Sequence, residues 1–121
     1  MRPAHINAVG AFTPTTRELD TEAVVKSRLY VDRRESTLHE AGEFLVPKRE
    51  GVIGDNHIAG GIGEVLVGIA PGRTSPDEIT LFKSLGLAIE DLASAHHIFK
   101  KAQLQQLGTW VEIGGRHFGS A

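Results

Sequence analysis

The sequence predicts an α/β protein with a parallel sheet, followed by one long helix near the carboxyl terminus. The first observation is that compact apolar strands alternate with short helical patterns over the first half of the chain. The second is the segment 85–102, where apolar residues recur at the three-and-four spacing of a helix with one buried face.

The first strand and the first helix lie close to the start of the chain. Residues 5–9 form a predicted buried strand, and Gly10 with Ala11 end it in a permissive turn. Asp20 is expected to cap a short helix that carries Ala23, Val24 and Val25.

The middle of the chain is predicted to hold a second strand and two further helices. The strand covers residues 29–32 and ends on an acidic residue, and a helix follows over residues 36–41 with Gly42 at its end. Residues 44–56 are charged and irregular, which predicts a surface connection. Helical spacing then predicts a short helix over residues 62–67 with a frayed start, because glycines precede and interrupt it.

The last third of the chain contains the clearest helix. A short strand is predicted over residues 79–83, and the long helix begins at Leu85 and is closed by Gly108. Ser84 is the N-cap candidate of this helix, and the free amides beside it could receive an anion. Residues 109–113 alternate like a final strand.

The composition describes a soluble globular protein without a nucleic-acid or membrane signature. The chain has 121 residues, of which 40% are hydrophobic, and a formal net charge of −2. The absence of cysteine excludes disulfides and thiolate catalysis and makes a cytoplasmic location the expectation. The sequence has neither an 18-residue apolar run nor a signal-peptide pattern.

The predicted strands are too few for a well-covered parallel sheet. Such a sheet needs helices on both of its faces, and two or three short strands with one very long helix do not provide them. The pattern is typical of the carboxyl-terminal part of a larger protein.

Several sequence blocks resemble one protein family. The blocks are HINAVGAFTPTTREL, LYVDRRESTLHEAGEF, GIGEVLVG and TSPDEITLFKSLGLAIEDLASA. In order and spacing they are similar to blocks of the ornithine cyclodeaminase/mu-crystallin family, over residues 4 to about 102. The family includes ornithine cyclodeaminases, ketimine and pyrroline-2-carboxylate reductases, an archaeal type of alanine dehydrogenase and the thyroid-hormone-binding mu-crystallins.

The resemblance implies that the chain corresponds to the carboxyl-terminal part of a family member. Residues 1–75 would be the carboxyl-terminal half of a Rossmann NAD(P)-binding domain, with NAD(H) or NADP(H) as cofactor. Residues 76–121 would be a strand, a long helix and a tail that return to a substrate-binding and dimerisation domain. The G-x-G-x-x-G turn that binds a dinucleotide pyrophosphate is absent, and Gly60-Gly61-Ile62-Gly63 does not replace it because no strand is predicted before it.

The resemblance also implies a set of site residues. The cofactor-binding candidates are Val9, Gly10, Ala11, Phe12 and Ser84. Glu40, in HEAGE, matches an acidic residue near the ligand in mu-crystallin-like members, so it is the substrate-binding candidate. Lys83 accompanies Ser84 in FKSLG with no role that follows from the sequence. No catalytic residue is identified.

Each candidate also has a simpler structural explanation. Glu40 alone would be an exposed helix carboxylate, Ser84 an N-cap, and Phe12 a ring in a core or pocket wall. The pair His96-His97 lacks the i, i+4 spacing of a helical metal pair, and we predict no metal site.

The residue at position 12 distinguishes between the possible activities. In cyclodeaminases of the family an Asp that acts as the acid and base holds the place of Phe12, and a phenyl ring cannot move a proton. This favours a ketimine or pyrroline-2-carboxylate reductase or an amino-acid dehydrogenase, with ornithine cyclodeaminase, which converts ornithine to proline and ammonia, as the alternative.

Whether this chain is itself an enzyme is left open by its sequence, because the pyrophosphate turn and the family's substrate-binding segment are absent from it. A small amino or imino acid is the implied substrate of the complete family enzyme. The other alternative is a truncated, non-catalytic remnant that binds a ligand or a partner. The implied partners are a second copy in a homodimer or a separate amino-terminal half.

Overall fold

The structure, a computed structural model, describes residues 4–111 and Gly114 of the chain. The chain divides into two compact units, Met1–Leu87 and Ala88–Ala121. The first unit holds the sheet and the short helices, and the second holds the long helix.

A parallel sheet of 4 strands forms the centre of the first unit. Its strands are β1 (His5–Ala8), β2 (Ser27–Val31), β3 (Ile58–Gly61) and β4 (Ile79–Lys83), in the spatial order β1-β4-β2-β3. Every pairing is parallel, which confirms the predicted sheet type. Because β4 lies between β1 and β2, the loops that follow these strands meet at one edge of the sheet.

Strand β3 was missed by the sequence analysis, which placed no strand before Gly60-Gly61-Ile62-Gly63. Ile58 is 3% exposed and pairs with Leu29 of β2. A Cβ atom at Gly60 would lie 2.8 Å from the Cβ atom of Ala70, so the glycine allows the following segment to approach the strand. Glycine weakens strand and helix patterns alike, and the strand was therefore hidden in a run that looked like a frayed helix.

Short helices connect the strands. They are α1 (Thr21–Lys26), α2 (Arg34–Glu40), α3 (Gly42–Arg49) and α4 (Ile62–Leu66), with a 3₁₀ turn at Asp55–His57. As predicted, Asp20 caps α1, since its carboxylate accepts a hydrogen bond of 2.8 Å from the amide of Ala23. The helices predicted over residues 36–41 and 62–67 correspond to α2 and α4.

Helix α3 corrects two predictions. Gly42 begins this helix instead of ending the previous one, and much of the expected irregular connection over residues 44–56 is helical. The helix was not predicted because the segment is rich in charged residues and contains Pro47, which lacks the amide that a helical hydrogen bond needs. The helix is retained because Phe44, on its buried side, is 0% exposed and packs in the core.

The core lies on one face of the sheet. Leu29 of β2 and Leu81 of β4 pack there with Val24 of α1 and Phe44 of α3. Successive side chains of a strand alternate between faces, so Lys83, two residues after Leu81, lies on this apolar face as well. A lysine in this position needs a specific explanation.

The second unit is built around α5 (Ala88–Gln105). The helix begins three residues later than the predicted start at Leu85, and Ser84 is therefore not its N-cap. Its apolar side chains are exposed, among them Ile89, Leu92, Ile98 and Leu104.

The end of the second unit agrees in part with the prediction. Gly108 has a φ of 90°, but it lies three residues after the end of α5 and does not close the helix as predicted. The residue directly after the helix, Gln106, has the left-handed φ of 53°, and the amide of Leu107 donates to the carbonyl oxygen of Ala102. The rings of Phe99 and Trp110 pack edge to face, with their centroids 5.8 Å apart. Residues 109–111 do not form the predicted strand, and its remaining residues, 112 and 113, lie outside the described residues.

Candidate functional site

The candidate site lies where strands β1, β2 and β4 end. In open parallel sheets, ligands bind in the crevice beyond the carboxyl ends of the strands. The loop of residues 9–12, called here the 9–12 loop, follows β1, Asp32 follows β2, and Ser84 follows β4. The structure therefore brings Ser84 and the 9–12 loop to one edge of the sheet through neighbouring strands.

The 9–12 loop is held by its backbone while two of its side chains remain exposed. The amides of Gly10 and Ala11 donate hydrogen bonds to Oε2 of Glu18, at 2.8 and 3.3 Å. Val9 is 64% exposed and Phe12 is 66% exposed. The loop thus offers apolar side chains at the strand edge, whereas its central amides are already occupied.

Glu18 is stabilised as a carboxylate by these contacts. The Gly10 amide holds the pKa of Glu18 below its ordinary value of 4.5, partial burial opposes this effect, and the Ala11 amide and the Lys83 ammonium add to it. Glu18 is therefore negatively charged at neutral pH.

The ammonium of Lys83 lies buried beneath the 9–12 loop. The side chain is 0% exposed and donates a hydrogen bond to the carbonyl oxygen of Ala11. Its Nζ atom lies 3.4 Å from Oε2 of Glu43 and 3.8 Å from Oε2 of Glu18. Glu43, itself 0% exposed, accepts a hydrogen bond of 2.8 Å from the backbone amide of Glu18. We call Lys83, Glu18 and Glu43 the Lys83 cluster.

The Lys83 cluster was missed by the sequence analysis. The available signal was alternation, because Lys83 falls on the same face of β4 as the apolar Leu81. Glu43 carried no such signal, since the helix that contains it was not predicted.

Asp32 organises the turn that contains Ser84. Its Oδ2 atom accepts hydrogen bonds from the Ser84 hydroxyl at 2.9 Å and from the amides of Leu85 and Gly86 at 2.7 and 2.9 Å. The sequence predicted free amides at this point, able to receive an anion. They are instead bound to a carboxylate of the chain.

Glu40 is the last residue of α2 and is exposed. Within residues 4–111 and Gly114 it forms no hydrogen bond or ion pair with another side chain or with the backbone outside its helix. Its assignment as a substrate-binding residue stays a prediction.

In the described part of the chain, no group of three or more His, Asp or Glu side chains is arranged to hold a metal ion. Among the described helices, none is both long and apolar enough to cross a bilayer.

Comparison with known proteins identifies the family. Residues 2–106 match the sequence model of the ornithine cyclodeaminase/mu-crystallin family. The chain belongs to this family. The resemblance found in the sequence blocks is thereby confirmed.

Curated relatives within the ornithine cyclodeaminase/mu-crystallin family carry different activities. A Delta(1)-pyrroline-2-carboxylate reductase of Bacillus cereus is 38% identical over 110 residues, which cover 90% of this chain and 34% of the relative. An alanine dehydrogenase of Archaeoglobus fulgidus is 42% identical over 109 residues, with coverages of 90% and 34%. The ketimine reductase mu-crystallin of Mus musculus is 43% identical over 96 residues, with coverages of 79% and 28%.

Solved structures of family members share the fold. The Delta(1)-pyrroline-2-carboxylate reductase of Thermococcus litoralis, in complex with NADH and L-proline, matches with a TM-score of 0.76 and 46% identity over 88% of this chain and 33% of that chain. The iminosuccinate reductase of Paracoccus denitrificans, in complex with NAD⁺, matches with a TM-score of 0.74 and 30% identity over 93% of this chain and 34% of that chain. The predicted α/β fold, with a Rossmann-like parallel sheet and a carboxyl-terminal helix, is confirmed.

The chain spans about a third of the length of the curated relatives it matches. Gly60 and Gly61 are the last two residues of β3, contrary to the prediction that no strand leads into this run. The G-x-G-x-x-G spacing is still absent, because a match that starts at Gly61 would need its third glycine at position 66, which is a leucine. Moreover, the Gly61 amide donates to Oε2 of Glu64 at 2.7 Å and is not free for a phosphate.

Proposed function

We propose that this chain forms the part of an NAD(P)-dependent imine or amino-acid oxidoreductase that lines the nicotinamide side of the cofactor. The observation that carries the proposal is the 9–12 loop, which is fixed by its backbone at the carboxyl edge of the sheet and exposes Val9 and Phe12. A flat, largely apolar ring such as nicotinamide suits this surface. Relatives that contain NADH or NAD⁺ support the same cofactor class.

In this proposal the chain binds and orients the cofactor and does not supply the acid. When bound, NAD(P)H supplies the hydride that reduces an imine carbon. Val9 and Phe12 would exclude water from one side of the ring, and Ser84, held by Asp32, would offer a polar contact at the same edge. These assignments agree with those implied by the family resemblance.

The acid chemistry of the site argues for reduction over cyclodeamination. Phe12 has no proton to transfer, and the family resemblance places the cyclodeaminase Asp at this position. Glu18 is the carboxylate that accepts hydrogen bonds from the loop. Because the Gly10 amide lowers its pKa, Glu18 has no proton to give at neutral pH and would be a poor general acid. A proton for the substrate nitrogen would therefore come from water or from a group outside this chain.

The cofactor site is completed outside this chain in the same proposal. A pyrophosphate turn and the substrate-carboxylate residues would belong to a segment that corresponds to the other two-thirds of the relatives. The exposed apolar residues of α5 support such an association, since large apolar surfaces mark contacts between proteins or domains. A related archaeal alanine dehydrogenase is described as a dimer with bound NAD, which favours a homodimer of the complete assembly.

A second candidate function is non-catalytic binding of a partner or ligand. It is favoured by the same exposed helix, because Ile89, Leu92 and Ile98 are each about as exposed as Val9 and Phe12. Sedimentation of the purified chain, alone and mixed with the remaining part of the Thermococcus litoralis reductase, distinguishes the candidates. A helper subunit should associate with a separate amino-terminal segment, whereas a free-standing binding protein should not require one.

The decisive experiment is a chimera with a solved relative. Residues 4–111 of this chain would replace the matching third of the Thermococcus litoralis reductase, and oxidation of NADH and NADPH would be followed with Δ1-pyrroline-2-carboxylate, with pyruvate plus ammonia and with ornithine. We expect imine reduction and no release of ammonia from ornithine. Val9→Ala should raise KM for the cofactor, and Val52→Ala, at a 54% exposed valine before β3, is the matched control.

Two results would overturn the proposal. One is ammonia release from ornithine by the chimera with Phe12 intact. The other is a Val9→Ala variant whose KM for cofactor equals that of the Val52→Ala variant, because the 9–12 loop would then not contact the cofactor.

A further inference from the structure

Lys83 is a buried cation for which neither the core nor the proposed chemistry gives a reason. We infer that it is a positioning residue, which fixes the 9–12 loop in the conformation that presents Val9 and Phe12 to the nicotinamide ring. It acts through the carbonyl oxygen of Ala11, to which its ammonium donates. The identity of the ligand rests on the proposed function. The contacts of Lys83 from which the inference is argued lie entirely within this chain.

Core packing does not explain a lysine at this position. The residue lies on the apolar face of β4 and is 0% exposed, and a leucine or methionine there would avoid the cost of removing a charge from water. An apolar side chain could not donate to the Ala11 carbonyl or face two carboxylates. The lysine is therefore explained by what it holds in place.

The Lys83 cluster ties the loop to two other segments of the first unit. Glu18 accepts from both central amides of the loop, and Lys83 donates to the carbonyl that follows them. Glu43, in α3, binds the backbone amide of Glu18 and lies 3.4 Å from the ammonium. Since the amides of Gly10 and Ala11 and the carbonyl oxygen of Ala11 are all bound within the chain, the loop has little freedom to turn these three groups toward a ligand.

The Lys83 cluster contains more carboxylates than ammonium groups. One ammonium faces two carboxylates, and Oε2 of Glu43 accepts no hydrogen bond in the described structure although the Lys83 ammonium is nearby. Removal of Lys83 alone would leave Glu43 as an unpaired buried charge, which strongly destabilises proteins. The test therefore removes both charges together, with Lys83→Met and Glu43→Gln in one variant.

A positioning role and a purely structural role give different patterns of amide hydrogen exchange. If Lys83 only stabilises the fold, its loss speeds exchange in the sheet and the loop alike. If it positions the loop, exchange rises at Gly10 and Ala11 while Leu29, in the centre of β2, keeps its protection. The titration of Glu18 is a second readout, because loss of the Lys83 charge should raise the pKa of Glu18 toward its ordinary value.

The experiment uses the full chain, labelled with ¹⁵N, at one pH and temperature. In the double variant we expect exchange at Gly10 and Ala11 to be about tenfold faster or more, and exchange at Leu29 to change less than about twofold. Glu18→Gln, at a residue on the surface, should produce a smaller increase at the same two amides. Lys83→Arg should preserve part of the protection, and Lys26→Met, at an exposed lysine paired with Glu22, is the matched control.

The inference is overturned if Gly10 and Ala11 exchange at wild-type rates in the double variant, whatever the rates in Glu18→Gln. It is also overturned if Leu29 loses protection as much as the loop does. The KM of the Val9→Ala chimera for NADH or NADPH tests the cofactor separately. A KM equal to that of the Val52→Ala chimera would count against the proposed function and would leave the exchange result to decide the role of Lys83.

Discussion

Replacement of Gly42 by alanine is expected to destabilise the first unit. Gly42 is buried at the start of α3, and an added Cβ atom would lie 2.0 Å from the carbonyl oxygen of Thr16 and 2.9 Å from that of Thr13. Both are backbone atoms, which cannot rotate away as a side chain does. To reach the 3.4 Å of an ordinary contact, the carbonyl oxygen of Thr16 would have to move by at least about 1.4 Å.

The magnitude follows from two opposing terms. Alanine is favoured over glycine in a helix by about 1 kcal/mol, whereas overpacking of a well-packed interior costs about 1–3 kcal/mol and sometimes more. A 2.0 Å approach to a backbone oxygen belongs at the upper end of that cost. We therefore expect Gly42→Ala to lower the free energy of unfolding by about 2 kcal/mol.

The assay is urea denaturation followed by circular dichroism, with Gly63→Ala as the matched control. Gly63 also lies near the start of a helix, but an added Cβ atom there meets nothing within 4 Å. Its replacement should raise the free energy of unfolding by about 0.5–1 kcal/mol. If Gly42→Ala is as stable as the wild type, or if both variants lose the same stability, the close approach to Thr16 is not what makes glycine necessary at position 42.

Three further predictions concern the strand edge. Asp32→Asn should lower the free energy of unfolding by about 1–2 kcal/mol, because Oδ2 accepts from the Ser84 hydroxyl and from two amides. Urea denaturation measures the loss, and an unchanged midpoint would show that Asp32 does not stabilise the turn at residues 84–86. Gly86→Ala should cost about 1 kcal/mol in the same assay because φ is 86° at this residue; a variant as stable as the wild type would contradict the left-handed turn. The pKa of Glu18 is lowered in the folded chain, so its contribution is complete above pH 4.5 and is lost as the pH falls through the folded pKa. Exchange at Gly10, corrected for intrinsic rates, should accelerate over that acid range, and Glu18→Gln should remove the pH dependence.

The sequence predicted the elements whose own residues carry a strong local pattern. Strand β1, the Asp20 cap and the long helix α5 each depend on residues that are close together in the chain. Strand β3 and helix α3 were missed because their stability comes from partners far away in the sequence. Ile58 is buried by β2, and Phe44 by the core of the sheet, and neither contact leaves a periodic signal near a glycine or a proline.

The same reasoning explains which part of the site was predictable. The 9–12 loop and Ser84 could be predicted as site residues because each lies within a contiguous block that resembles the family. Glu18 and Glu43 are separated by 25 residues, and Lys83 lies 72 residues beyond Ala11. Only the order of the strands, with β4 inserted between β1 and β2, brings these groups together.

The carboxyl ends of the strands in this chain suit a neutral ring better than a phosphate. Amides at or just beyond the carboxyl ends of three strands could each have bound an anion, but they donate to Glu18, Asp32 and Glu64 of the chain itself. A phosphate would have to displace these carboxylates and would be repelled by them. ADP-ribose, which lacks the nicotinamide, should therefore leave the amide signals of Gly10 and Gly86 unshifted at millimolar concentration. A specific shift of these two amides would mean that the pyrophosphate binds here, and the assignment of this edge to the nicotinamide end would have to be abandoned.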